Sequence, residues 1–532
     1  MMSNKQLYFY SALSGLLLGL AYLPGSTGIF LFIGFIPLLT VEAHLAQTQK
    51  SAKHIIKFAI TAFLIWNASA TWWIYHASFA GMLMAFLVNT FLFTAVFWFF
   101  HFTHKKTNHG LGYFAFIVYW LTFEHFYLNA EISWPWLTLG FGFAEDIRII
   151  QWYEFTGSLG GSLWALMVNV LLFNFAKPII FQEKKPLRWR ESSIPAVVLI
   201  VPIIISITIF SGYTEEENPV EIVVVQPNID PYEKFVAVSN EEVTSILINL
   251  ADSLADEDTD YIVAPETAIV NNIWLHMLWH SEDIQRIKQF VSRYDSLKYV
   301  VGIMSRALYE SPLTPTANPL GQTGKYYDTF NSAIQIDQTD SIQVYHKSQL
   351  VVGVEKMPYP EYLGFLKKIM LQLGGTFRSH GTQENRANLI SPNGNSSAAP
   401  VICYESIFGE YVTGYIKNGA SIIFIITNDG WWADTPGYKQ HNAYARLRAI
   451  ETRRSIARSA NTGISSFINQ RGEVLQAIGW WERDAIKEIL NENHKLTFYT
   501  RHGDYIARLA RFFALLAVAA LIVRIILNKK SM

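Results

Sequence analysis

Three residues in this 532-residue chain have types and settings suited to covalent catalysis. Cys403 is the only cysteine, and it ends the apolar run Pro400-Val-Ile-Cys. A group at a strand end lies where α/β enzymes place reacting atoms. A thiol with no task would be vulnerable in an oxidising compartment. The plain alternative is a small buried hydrophobe. Glu266 follows an apolar run in Ala264-Pro265-Glu266-Thr267; it reads as a general base or as a helix N-cap or first-turn acid. Lys347, in Val344-Tyr-His-Lys-Ser, reads as a solvated strand-edge residue or as a buried cation for an oxyanion. A free thiol ionises near pH ~8.5, so fast attack near neutral pH needs a base or a nearby cation.

All three positions follow β-like runs. The expected strands are Glu221–Gln226, Tyr261–Ala264, Tyr299–Met304, Ser332–Ile336, Val401–Cys403 and Ser421–Thr427. The expected helices are Glu241–Leu254, His280–Tyr294 and Tyr438–Arg454. Continuous apolar strands alternating with helices indicate a layered α/β domain with buried sheets. Residues 305–330 and 380–399, rich in Gly, Pro, Asn, Ser and Thr, read as loops. Residues 356–377 are apolar and basic; they read as a mobile arm that touches lipid or as an ordinary core helix. His441, beside Gln440, reads as a histidine with structural hydrogen bonds rather than a metal ligand.

The rest of the chain is of another kind. Hydrophobic residues make up 51% and charged residues only 16%, below the ~25% charge of soluble domains; mean hydropathy is +0.19. A net charge of −1 gives no electrostatic support for nucleic-acid binding. One cysteine excludes a disulfide framework or a cysteine-cluster metal site, and no metal-ligand spacing is present. Apolar residues concentrate before 215 and after 508. Candidate spans are 7–24, 26–45, 56–76, 79–101, 110–127, 152–176 and 193–213, with an eighth at 508–527 that an interfacial helix would also explain. The first reads as a span rather than a cleaved signal peptide. Lys5, Lys50, Lys53, Lys105, Lys106, Lys177, Lys184, Lys185, Lys529 and Lys530 fall on one side if every candidate spans, which makes that side cytoplasmic. The expected organisation is a seven-span domain at 1–213, an outward-facing domain at 214–507, and a last span and tail at 508–532.

The order Glu266…Lys347…Cys403 resembles the nitrilase, or carbon–nitrogen hydrolase, superfamily. The segments VVVQPNIDPYEKF, APETAI, YYDTFNSAI, YHKSQLV, VICYESIFGE, TNDGWW, QHNAYARLRAIETRR and SANTGISSFINQRGEV resemble, in order, those of bacterial apolipoprotein N-acyltransferases. So do Leu23-Pro24, Ile36-Pro-Leu-Leu and Trp134-Pro-Trp-Leu-Thr-Leu-Gly. The resemblance implies a polytopic α-helical membrane domain of about eight spans carrying an α/β nitrilase-like αββα sandwich. It implies Glu266 as general base, Lys347 as stabiliser of the tetrahedral intermediate and Cys403 as nucleophile. It gives Glu355 a second essential carboxylate role, makes Tyr404 and Glu405 residues that shape the site, and puts Asn331 beside the pocket. Two departures stand out. Val352-Gly-Val-Glu355 replaces the usual Pro-Phe-Gly-Glu, and Phe235 replaces a frequent Trp.

The implied reaction is ping-pong acyl transfer. Cys403 takes an acyl chain from a phospholipid as a thioester, and the α-amino group of a diacylglyceryl-cysteine on an apolipoprotein then receives it. No cofactor is implied. The implied location is the bacterial inner membrane, with the catalytic domain on the periplasmic side. Glu355 would either fix the Lys347 ammonium or hold the arm that follows it. The competing readings are a membrane-anchored amidase or nitrilase that uses water, and a non-catalytic lipoprotein-binding or transport protein.

Overall fold

The computed structural model describes residues 2–48, 50–107, 109–182, 189–234, 238–359 and 379–530. The chain divides into two compact units, Met1–Gly212 with His502–Met532, and Tyr213–Arg501.

The first unit is helical. Helices occupy Asn4–Leu20, Ile36–Ala46, Ile56–Thr71, Phe79–Lys106, His109–Asn129, Ser158–Ile180, Trp189–Gly212 and Tyr505–Lys530. Among the described residues, five stretches are long and apolar enough to cross a membrane: Gly28–Ala46, Phe79–Lys106, Ser158–Ile180, Ser193–Gly212 and Tyr505–Asn528. The candidate span at 152–176 is broken. Tyr153–Thr156 forms a separate turn, Gly157 adopts φ +62°, and the long helix begins only at Ser158. Small residues let helices approach: a Cβ on Gly15 would strike the Ala62 carbonyl, and one on Gly19 the Ser69 side chain. Between Trp134 and Ile150 the backbone is irregular, with 3-10 turns at Pro135–Leu137, Leu139–Phe143 and Ile147–Ile149. Neighbouring helices supply its partners. Glu124 accepts the Leu139 N–H at 2.9 Å, and Ser162 accepts the Gly140 N–H at 2.9 Å. Such backbone is tolerated at membrane depth only where protein satisfies it.

The second unit is built on two sheets. The first has eight strands: β1 (Pro219–Gln226), β2 (Tyr261–Val263), β3 (Ile269–Trp274), β4 (Lys298–Tyr309), β5 (Asn318–Pro319), β6 (Tyr326–Ile336), β7 (Gln343–His346) and β14 (Asp484–Asn491). Its order is β14-β1-β2-β4-β6-β5, with β3 on β4 and β7 on β6. The second contains β8 (Leu389–Ile390), β9 (Ser397–Ile402), β10 (Ile422–Thr427), β11 (Ile456–Ala460), β12 (Ser465–Ile468) and β13 (Val474–Ile478), in the order β13-β12-β11-β10-β9-β8. The central strands β1-β2-β4 and β9-β10-β11 are parallel. Parallel strands are buried on both faces, which is why they read as unbroken apolar runs.

The two sheets face each other. The Tyr261 ring lies 5.0 Å from Phe424, and Ser459 Oγ donates to the Val225 carbonyl at 2.8 Å. Helices Asn240–Asp252 and Glu282–Val291 cover the first sheet; Leu247, Ile284 and Ile287 pack on Val223, Val225, Ile262, Val301 and Ile303. Helices Gly409–Lys417 and Pro436–Thr452 cover the second. The result is an αββα sandwich. The segments read as loops are partly strand: β4 and β6 form one antiparallel ladder from Tyr299↔Ile336 to Tyr309↔Tyr326, and β8 with the start of β9 falls within 380–399. Beyond Ile303 the ladder mixes buried polar residues, Ser305, Asp328 and Asn331, with part-buried ones such as Arg306 and Thr329, so its sequence lacks an unbroken apolar signal.

Candidate active site

Each of the three residues stands just beyond a strand of the central layers. The turn carrying Glu266 is gripped by β4: Ala264 N–H donates to Val300 at 2.8 Å, and Gly302 N–H to Pro265 at 3.1 Å. Thr267 takes φ +47°, so Glu266 sits in a tight turn and not at the start of a helix. Lys347 follows β7, and its N–H donates to the Asn331 carbonyl of β6 at 2.8 Å. It is 1% exposed, so it is no solvated edge residue. Cys403 follows β9 and opens the 3-10 turn Cys403–Ile407 with φ +49°.

Lys347 Nζ donates at 2.9 Å to Oε1 of Glu266 and at 2.9 Å to Oε1 of Glu355. Asn331 Nδ2 donates to the same two oxygens, at 2.7 Å and 3.2 Å. Two carboxylates therefore share one ammonium and one amide. Burial works against the charge on Lys347, but Glu266 and Glu355 outweigh it and hold the ammonium well above the ordinary lysine value. For Glu355 burial opposes ionisation, yet Lys347 and the Val351 N–H (2.8 Å) keep its carboxyl below the usual range. Burial pushes the Cys403 thiol up, Glu266 adds to this and Lys347 opposes it. The raised thiol favours the protonated form, so any attack by it would need coupled proton removal.

Glu355 keeps its place despite the altered run before it. Gly353 adopts φ +85°, and the Glu355 N–H closes a turn on Val351 O at 2.9 Å. Phe235 and residues 360–377 of the arm lie outside the described residues. The arm's described ends are joined: His380 N–H donates to the Glu355 carbonyl at 3.0 Å, and Met357 N–H to Ser379 Oγ at 3.1 Å.

Glu405 is fully buried and ties the backbone before Cys403 to that after Lys347. Oε2 accepts the Ile402 N–H at 2.8 Å. Oε1 accepts the Ser348 N–H at 2.7 Å, Tyr345 OH at 2.6 Å and Tyr411 OH at 3.0 Å. Burial raises its pKa, against the pull of these donors. Tyr404 is buried edge-on to Phe408 at 5.1 Å.

The carbon–nitrogen hydrolase family matches residues 222–491, just over half of the chain, and that match spans all of these groups. The chain belongs to the carbon–nitrogen hydrolase family. Residues 14–171 match a second family, the apolipoprotein N-acyltransferase N-terminal domain. The chain is 27% identical to an apolipoprotein N-acyltransferase of Chlorobaculum tepidum over 514 residues, covering 94% of this chain and 93% of the relative. It is 25% identical to one of Geobacter metallireducens over 547 residues, covering 98% and 96%. It is 25% identical to one of Thermotoga maritima over 375 residues, covering 70% and 63%. The apolar helices mark this member of the family as a membrane-integral protein.

Within this hydrolase-family unit, sequence reasoning passed over several buried groups. Lys234 is 1% exposed, donates to the Glu266 carbonyl at 3.3 Å, and is pushed down to about 7 by burial, with Glu266 opposing. Asp429, Arg458, Ser406 and Thr427 form a polar cluster with His441 behind Cys403. The signal available was their charge inside apolar or tightly patterned segments, which only burial turns into a site.

Proposed function

We propose that this protein transfers an acyl chain from a phospholipid, through a Cys403 thioester, to the α-amino group of the N-terminal diacylglyceryl-cysteine of apolipoproteins. The observation that carries this reading is the combination in one chain of a helical unit matched by the apolipoprotein N-acyltransferase N-terminal family with a carbon–nitrogen hydrolase unit. Relatives of that name cover nearly the whole chain.

The site supports the chemistry in two half-reactions. Among the described residues, both side-chain bonds to Glu266 fall on Oε1, so Oε2 is the atom available to take the thiol proton. The thiolate attacks the phospholipid ester carbonyl. Lys347 ammonium faces the developing oxyanion. The lysophospholipid leaves as its alkoxide takes the proton held on Glu266, and the thioester remains. The lipoprotein amine then attacks the thioester, Glu266 receives the amine proton, and the thiolate leaves and is reprotonated. Asn331 and Glu355 hold Glu266 and Lys347 at fixed spacing through both steps. Both substrates are lipid-anchored, which accounts for a hydrolase-type unit on membrane helices. We place the enzyme in the bacterial inner membrane with the catalytic unit on the periplasmic side, from the one-sided lysine distribution.

The test is intact mass after incubation with phospholipid. An added acyl mass on Cys403, lost on adding a diacylglyceryl-cysteine peptide that becomes N-acylated, is the expected result. No adduct, or an adduct released only to water, overturns it.

A further inference from the structure

The cluster behind Cys403 is not used by the acyl transfer described above, and its geometry converges on one atom. Cys403 holds a left-handed backbone, a conformation that persists in a residue with a side chain only where the surroundings over-determine it. Its carbonyl accepts from Ser406 Oγ at 2.7 Å. His441 Nε2 lies 3.3 Å from that carbonyl and 3.0 Å from Ser406 Oγ. The other ring nitrogen, Nδ1, lies 2.9 Å from Asp429 Oδ1. Asp429 is fixed in turn. Thr427 Oγ1 donates to its Oδ1 at 2.8 Å, and Arg458 Nη2 to its Oδ2 at 2.6 Å. Asp429, His441 and Arg458 are all fully or almost fully buried. They come from the end of β10, the helix Pro436–Thr452 and β11, so three elements meet at one peptide.

We propose that His441, oriented by Asp429, is a positioning residue for the nucleophile: it fixes the Cys403 carbonyl and thereby aims the thiol at Glu266 and Lys347. The proposal rests on the reading of Cys403 as nucleophile. Glu405 grips the Ile402 N–H on one flank of the strained residue, and His441 with Ser406 grips the carbonyl on the other. The ring is no second base for the thiol, since its nitrogens face a carboxylate and a backbone carbonyl. The charged groups around the thiol are Glu266, Lys347 and Asp429, and those on the ring are Asp429 and Arg458. A thiol held between Glu266 and Lys347 gives its proton to the first while the second favours the thiolate, so one that swings away from the pair loses its base together with its cation and depends on hydroxide.

The experiment uses the full-length protein in detergent micelles and follows labelling of Cys403 by iodoacetamide across pH, with melting recorded for each variant. His441→Leu should label roughly ten- to a hundredfold more slowly at neutral pH, the loss of one hydrogen-bonded constraint on a charged group, with its profile displaced to higher pH. His441→Gln, whose amide N–H reaches the same carbonyl, should recover most of the rate. His441→Ala, which removes the ring and leaves every charge around the thiol in place, should displace the profile in the same direction, and it stands in if His441→Leu does not fold. A wild-type profile in His441→Leu or in the stand-in overturns the proposal. So does faster labelling at an unshifted profile, or a folded His441→Gln no better than His441→Leu. Labelling needs only the thiol. Absence of an acyl adduct on the wild-type protein would count against the proposed function and leave this result to stand separately.

Discussion

Lys347 is shared between Glu266 and Glu355, and that sharing sets what each substitution does. Glu355→Gln removes one of two charged partners from a dry ammonium, a loss of about 1.5–3 kcal/mol or roughly ten- to a hundredfold in rate. Because the proposed mechanism uses Lys347 in both half-reactions, thioester formation and amine transfer should fall together when measured separately. A stable thioester without transfer would instead give Glu355 its role in the second step alone. Cys403→Ala should abolish acylation of the enzyme, and Cys403→Ser should do nearly as badly because a hydroxyl is harder to ionise. Normal turnover by either would exclude the thioester. Lys234 gives a pH-dependent test. Its folded value of about 7 lies below the ~10.4 of an unfolded lysine, so between them the unfolded chain binds the extra proton. Native stability therefore rises with pH across that window, and the full cost of the buried charge is felt below about 7. Lys234→Met should raise the melting temperature at or below about pH 7, with the advantage shrinking toward about pH 10. No gain at low pH would refute the assignment. The sequence made Cys403, Glu266 and Lys347 legible because each follows a β-like run. Glu405 was legible as a carboxylate two residues beyond Cys403, and its role only by resemblance. Of its partners, Tyr345 and Ser348 come from the Lys347 segment and Tyr411 from the helix Gly409–Lys417, and no spacing rule brings these to one carboxylate.

At the scale of elements, the site depends on how closely strands approach its turns. A Cβ on Gly302 would lie 2.5 Å from Thr267 N and 2.6 Å from Glu266 Cα. These neighbours are backbone and have nowhere to retreat. Gly302→Ala should therefore push the Glu266 turn outward and cut thioester formation by at least roughly tenfold, the scale of one lost charged hydrogen bond, while far-UV dichroism stays native. Wild-type activity would mean the turn yields freely. The central strands β1, β2 and β10 were readable because burial on both faces demands unbroken apolar runs, whereas β9, which begins Ser-Ala-Ala-Pro, was readable only at its Val401–Ile402 end. The outer strands were not. In β13 and β14, Val474, Leu475 and Ile489 are exposed and stand among polar residues such as Gln476, Lys487 and Glu488 without a regular period, a pattern shared with loops. The Tyr153–Thr156 break was hidden for another reason. The apolar run from Leu159 carries the average of the whole window, although residues 151–158, with Glu154 among them, are largely polar, and the Gly157 backbone separates turn from helix.

For the whole molecule, the lysine distribution makes a direct prediction. A reporter fused after residue 532 should be cytoplasmic and one inserted near residue 320 should lie outside. A cytoplasmic reading at 320 would reverse the orientation and remove the catalytic unit from outer-leaflet lipid. The pairing of β1 with β14, from Pro219↔Asn491 to Gln226↔Asp484, has a consequence for how the protein is made. The first strand of the catalytic unit has its outer neighbour in the last. At about 5–20 residues per second of synthesis, tens of seconds separate the two. Throughout that interval β1 lacks the strand that later covers its outer edge, and open edges recruit other chains. A ribosome that stalls before residue 484 would leave the unit in that state, so its completion is a late, all-or-nothing event in translation.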